Sequence, residues 1–141
     1  MRVLVCGGRD FDDRPMLVRV LDMLHEQHNF SVVIHGAARG ADRLADYWAV
    51  TNRLPVFKFH ANWKMQGLAA GPIRNAKMLE KGRPDLVVAF PGNGGTKNMV
   101  RQALTAKVEV RKVRADGTVE RWLLPEDRQG ELFNLSVTNA N

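Results

Sequence analysis

A single cysteine, Cys6, stands among 141 residues, which rules out an intrachain disulfide and any zinc cluster built on cysteines. No stretch approaches the roughly 18 apolar residues that a membrane-crossing helix needs. The opening MRVLVC is too brief for a signal-peptide core before it runs into GGRDFDD. The expected location is therefore cytoplasmic, with no membrane partner. Neither GxGxxG nor GxxxxGK[ST] occurs, so the dinucleotide-dehydrogenase and P-loop nucleotidase readings fall away. There is no internal repeat and no low-complexity tract. Acidic residues are the minority, 15 against 21 Lys and Arg for a net charge of +6. That balance favours phosphate-rich partners without choosing between nucleic acid and a small nucleotide.

What is present alternates between two periods. Arg2 to Cys6 is apolar almost throughout, as a parallel strand covered on both faces requires. After Gly7-Gly8, Asp12 and Asp13 offer N-caps, Pro15 suits a first helical turn, and Met16, Leu17, Val20, Leu21 and Leu24 recur at helical spacing. The unit repeats with Val32 to His35 as a strand and Ala41, Leu44, Ala45, Trp48 and Ala49 as a helical stripe. Pro55 to Phe59 is the third predicted strand. His60 to Gly71 carries no clear period and is expected to be a functional loop, with Pro72 opening the next helix. Asp85 to Phe90 is a fourth buried strand, followed by a helix through Met99, Val100, Ala103 and Leu104, and Val108 to Val113 a fifth.

Asp116-Gly117 signals a hairpin, with Val119 to Leu124 returning along the edge. The expected fold is α/β, in three layers, with a mostly parallel sheet of about five strands plus a C-terminal hairpin. With 45% hydrophobic residues, the chain suffices for one core. One domain is expected over residues 1–124, with a loosely ordered tail over 125–141.

Parallel strands place every strand-to-helix turn on one edge of the sheet. Three of those turns have the composition a phosphate needs: Gly7-Gly8-Arg9, Gly36-Ala37-Ala38-Arg39-Gly40, and Gly92 to Thr96 after Pro91. Glycine lets backbone approach closely, and a following helix presents unpaired N–H groups at its positive dipole end. Glycine at such a turn is also ordinary turn chemistry, so the argument rests on three of them sharing an edge.

The segments VCGGRDFDD, VIHGAARGADRLA, AGPIRNAKM and VVAFPGNGGTKNMV, in that order, resemble the YspA, cpYpsA-related branch of the SLOG superfamily. The resemblance implies a Rossmann-like fold related to the LOG phosphoribohydrolases and to DNA-processing protein A. It further implies that Gly92, Gly94, Gly95 and Thr96 correspond to the phosphate-receiving motif PGGxGTxxE. Asn93 replaces the motif's second glycine, and its glutamate falls at Met99, which has no proton to exchange. Arg74 stands where the family's arginine approaches phosphate or ribose, with Asn75 beside it.

Among the remaining polar groups, Asp42 suits either an N-cap or a ribose hydroxyl, and Asp10 and Asp12 suit capping or a hydrated Mg²⁺ carried by nucleotide phosphates. Arg9, ahead of Arg39, is the expected mobile cation. His35 ends a buried strand on the ligand edge but has no Ser/His/Asp company and receives no proton-transfer role. His25, His28 and His60 lack comparable neighbours. Trp63 can stack on a base or pin its loop, whereas Trp48 and Trp122 read as packing.

The leading expectation is a nucleotide-derived ligand, with Gly92 to Thr96 cradling its phosphate, Arg74 neutralising it, and Asn98 or Asn75 orienting the sugar. An N-glycosidic hydrolase is the enzymatic alternative and needs Asp10 or Asp42 in place of the missing glutamate. A nucleic-acid-binding module is the third, carried by Lys107, Arg111, Lys112, Arg114 and Arg121. No residue is assigned a catalytic role and no resident metal is expected. The expected assembly is a homo-oligomer.

Overall fold

In the computed structural model, which describes residues 1–124 and the strand 133–135, chain order is β1 (Arg2–Cys6), α1 (Arg14–His28), β2 (Val32–His35), α2 (Ala41–Thr51) and β3 (Val56–Lys58), then α3 (Trp63–Gln66), α4 (Ala70–Gly82), β4 (Leu86–Ala89), α5 (Gly94–Thr105), β5 (Glu109–Val113), β6 (Val119–Leu123) and β7 (Phe133–Leu135). The strands form one sheet in the order β3-β2-β1-β4-β5-β6-β7. Pairings through β5 are parallel, with Val3 opposite both Val33 and Leu86. β6 and β7 are added antiparallel. This is the expected Rossmann-like α/β sheet with a C-terminal hairpin. The expectation of a loose tail falls on residues outside those described, apart from β7.

Alternation along β1 explains why its sequence is apolar at every step from Val3 to Cys6. Val3 and Val5 enter a core with Leu17, Leu21 and Leu24 of α1 and Ala45 and Trp48 of α2. Leu4 and Cys6 enter a second core with Met78 of α4 and Met99, Ala103 and Leu104 of α5. Two helices thus cover each face, and a strand buried on both faces can spare no polar position. Asp13 caps α1 by accepting from the Met16 N–H at 3.1 Å, and Pro15 sits in its first turn.

Two boundaries differ from the sequence expectation. α4 begins at Ala70 rather than Pro72, because a proline in the first turn has no hydrogen bond to lose. The expected loop from His60 to Gly71 contains the one-turn helix α3 and a 3₁₀ turn at Gly67–Ala69, each too short to show a period.

Far from the site edge, Glu109 accepts from Arg111 Nε at 2.7 Å and Arg121 Nη2 at 2.8 Å. Burial would raise the Glu109 pKa, but these bonds outweigh it and hold the carboxyl below its usual range. Nearby His28 has its pKa lowered by burial first and by Arg111 second, with Arg121 and the N-terminus in the same sense and Glu109 opposing. Above the unfolded value near 6.5 the imidazole is neutral in both states. Below it the unfolded chain takes up a proton that the folded chain resists, so folding stability falls as pH drops from 6.5 towards the lowered folded value. Thermal melts between pH 7.5 and 5.5 are expected to show a declining midpoint, with a shallower decline in His28→Gln. An equal slope in the variant would remove His28 as the cause.

Candidate functional site

β2 and β3 lie on one side of β1, and β4 and β5 on the other. The chain therefore reverses its direction of travel at β1, and the turns leaving β1 and β4 diverge to opposite faces. An open α/β sheet leaves a crevice at such a point, beyond the carboxyl ends of the strands. A cleft of about 930 Å³ opens there, at the upper end of what small-molecule sites occupy.

Gly8 ties its rim together. Its N–H donates to the Pro91 carbonyl at 2.9 Å, and its own carbonyl accepts from Phe11 at 3.3 Å and Ala41 at 3.2 Å. Such approaches leave no space for side chains. A methyl on Gly7 would lie 2.6 Å from Ala41 Cβ, and one on Gly92 would overlap Thr96 Oγ1 and lie 2.7 Å from the Gly8 nitrogen. Gly40 has φ +79° and its backbone abuts the Gly8 and Arg9 carbonyls. These four glycines bring turns together.

Gly94 and Gly95 differ, since a methyl on either would meet nothing within 4 Å. They open α5, whose N-cap residue Asn93 makes no side-chain capping bond. Helix geometry leaves first-turn amides without intrahelical acceptors, and here that turn borders the cleft through Gly94, Gly95 and Thr96.

Arg74, from the first half of α4, lines the same cleft. Its Nη1 donates to the Gly36 carbonyl at 2.7 Å and its Nε to Asn75 Oδ1 at 3.2 Å. The guanidinium lies so close over Gly36 that a methyl there would be 2.8 Å from Nη1. Burial lowers the Arg74 pKa, Asp42 opposes the shift, and Arg9 adds to it. Asp42 is buried at 6% exposure, and burial raises its carboxyl pKa against the lowering effect of the Ala38 and Gly36 amides.

Of the residues expected at the site, Gly7, Gly8, Arg9, Asp42, Arg74, Asn75, Pro91, Gly92, Gly94, Gly95 and Thr96 line the cleft, whereas Gly36, Ala37, Gly40 and Asn98 do not. The second turn instead contributes Ala38 and Arg39. Its backbone is folded inward, because Asp42 Oδ2 accepts from the Gly36 N–H at 3.1 Å and the Ala38 N–H at 3.2 Å, with Ala37 between them at φ 58°. Asp42 therefore organises this turn rather than capping α2, whose N-cap residue Gly40 has no side chain to cap with.

The side-chain amides of Asn75 and Asn98, expected to orient a sugar, are bonded to each other and to groups of α5. Asn75 Nδ2 donates to the Gly95 carbonyl at 3.3 Å and to Asn98 Oδ1 at 3.1 Å. Gln102 Nε2 donates to Asn98 Oδ1 at 2.7 Å. These amides join the start of α4 to the start of α5 and so set the distance between Arg74 and the open first turn.

His35 is structural. Its Nδ1 accepts from the Ala37 N–H at 2.9 Å, which leaves the proton on Nε2 to donate to Asp46 Oδ2 at 2.7 Å. Burial works against the Asp46 charge, but the hydrogen bonds from His35 and Lys58 outweigh it and lower its pKa. Met99, at 1% exposure, packs in the second core. The Cys6 thiol is buried and pushed above its usual pKa by burial, then by Asp42, which favours the neutral thiol. Among the described residues no group of three or more His, Cys, Asp or Glu is arranged to hold a metal.

Arg39 pairs with Asp10 at 3.3 Å on the surface, and Arg9 lies over the Trp63 ring, 4.8 Å from its centroid. Several basic residues weighed for nucleic acid are engaged within the sheet: Arg111 and Arg121 with Glu109, and Arg114 with Glu120. Residues that the sequence did not mark include Leu68, Gly71 and Pro72, which form a wall of the cleft. For Leu68 the available signal was a large apolar side chain in a segment without a period. No helix among the described residues is long and apolar enough to cross a membrane.

Residues 1–65 match the family described as YAcAr: YspA, cpYpsA-related SLOG family. The chain is 38% identical over 117 residues to the Gene 61 protein of Mycobacterium phage D29, an alignment taking in 77% of this chain and 93% of that protein. Among solved structures, it superposes on a UDP-GlcNAc 2-epimerase from Neisseria meningitidis, crystallised with UDP-GlcNAc, at a TM-score of 0.49 and 19% identity. That match covers 82% of this chain and 32% of the epimerase, so the chain spans about a third of the enzyme's length.

Proposed function

Since the chain belongs to the YspA, cpYpsA-related SLOG family, we propose that its cleft binds a phosphate-bearing nucleotide or nucleotide derivative, with the phosphate on the first turn of α5 and Arg74 as countercharge. The observation that carries this reading is the uncapped, unobstructed start of α5, opening on the switch-point cleft that Arg74 also lines. Backbone donors and a helix dipole favour an anion there, and an arginine recognises phosphate by planar, charge-assisted bonds. Asp10 and Asp12 line the same cleft, so a hydrated Mg²⁺ entering with a polyphosphate would meet carboxylates. Binding is a better reading than bond cleavage, because the position aligned with the LOG glutamate is the buried Met99, Asp42 Oδ2 already serves two amides, and Asp10 pairs with Arg39 on the surface.

A thermal-shift panel of orthophosphate, ribose 5-phosphate, AMP and ADP-ribose tests the reading. A ligand at 100 times its dissociation constant adds about 2.7 kcal/mol of stability. Gly95→Asp is the informative variant. A Cβ at this position meets nothing within 4 Å, and a carboxylate at a helix start stabilises the helix by roughly 0.3–1 kcal/mol while repelling a second anion. The unliganded variant is expected to melt at or above the parent temperature and to respond to none of the phosphates. A variant that responds as the parent does would place the anion elsewhere.

A further inference from the structure

The segment between β3 and α4 departs from the burial pattern of the helices around it. Trp63, Met65 and Leu68 are 45%, 81% and 94% exposed, and no residue from Asn62 to Ala69 is buried. Trp63 nevertheless makes two defined contacts. A methyl on Gly71 would stand 3.3 Å from its Cη2, so the indole edge rests on bare backbone at the start of α4. The exposed Arg9 covers a ring face at 4.8 Å from the centroid. Trp63, Arg9, Leu68 and Pro72 line the same cleft as the start of α5 and Arg74.

A half-exposed indole that lines a cleft and is covered by a planar guanidinium is suited to exchanging one planar partner for another. Guanidinium and heteroaromatic base both stack on an aromatic face, and the arginine loses little by returning to water, where it is already exposed. We infer that Trp63 is a stacking subsite for a planar heteroaromatic base, and that Arg9 covers it until such a base takes its place. The inference rests on the phosphate reading above and narrows the ligand class to base-bearing phosphates in preference to bare sugar phosphates. Stacking accepts any base, because every base has a π-face, so the subsite selects for the presence of a base and not for its identity.

Calorimetric titration of AMP, UMP and ribose 5-phosphate into the parent, Trp63→Ala, Trp63→Phe and Arg9→Ala proteins tests this through one ratio, nucleotide affinity over ribose 5-phosphate affinity. The parent ratio is expected to be roughly 5- to 150-fold, the range that stacking on one aromatic side chain supplies. Trp63→Ala should bring it close to one while ribose 5-phosphate still binds, and Trp63→Phe should keep most of it. Arg9→Ala should raise it, because any contact of Arg9 with phosphate counts equally in both terms and cancels. A parent ratio near one, or a ratio that survives Trp63→Ala, overturns the subsite while leaving the phosphate reading intact. An unchanged or lower ratio in Arg9→Ala overturns the covering role of Arg9. Failure of the parent to bind any of the three compounds overturns the phosphate reading and the subsite with it.

Discussion

Arg74→Ala is expected to weaken binding of phosphate-bearing ligands by about 100-fold or more, the order lost when a charge-assisted contact worth about 3 kcal/mol is removed. The side chain also supports the fold. Its removal deprives the Gly36 carbonyl and Asn75 Oδ1 of donors at 2.7 and 3.2 Å and leaves the buried Asp42 without its neighbouring positive charge. A destabilisation of about 1–3 kcal/mol is expected in addition. Titration calorimetry at a temperature where both proteins are folded separates the two effects. Arg74→Lys keeps the charge but loses the planar fork, so it should recover stability in part and affinity only slightly. Unchanged affinity in Arg74→Ala would place the countercharge on another residue.

Gly40→Ala should lower the melting temperature by about 10 °C, corresponding to roughly 3 kcal/mol for a chain of this size. Two causes act together. The backbone at Gly40 has φ +79° and ψ −127°, a region that side chains avoid. The added methyl would also overlap the Gly8 carbonyl and lie 2.6 Å from the Arg9 carbonyl, both backbone atoms with no flexible end to move. Because Gly8 also bonds to Ala41 and Pro91, relief of the overlap displaces the cleft rim, and ligand response should fall with stability. Gly94→Ala provides the contrast. Its methyl meets nothing and alanine is the better helix former, so its midpoint should equal or exceed that of the parent. Equal melting of the two variants would contradict the assignment of Gly40 to close packing.

These glycines also mark where sequence reading loses resolution. Gly40, Gly92, Gly94 and Gly95 look alike in a turn, yet two admit neighbouring backbone or side chain and two leave open space. The difference depends on what another part of the chain brings near. Asn75 and Asn98 show the same limit. Each is a reasonable sugar ligand beside a phosphate loop, but the packing of α4 on α5 joins them to each other and to Gly95. Trp63 was recognisable as an aromatic in a segment without a period, while its contacts with Gly71 and Arg9 could be seen only once three separate segments were assembled.

Local chemistry was enough to establish strands β1 to β6, the main helices and the three glycine-rich turns, but not β7, because residue periodicity and turn preference act over a few neighbouring residues. The apolar runs of β1 and β4 could be read directly, since burial on both faces leaves no polar position. The order of the strands decided the rest. Placing β4 beside β1 brings the Gly8 turn against Pro91 and opens the cleft between them. Many orders satisfy the same alternation of strand and helix, and only burial of both sheet faces at once selects the one in which those turns meet.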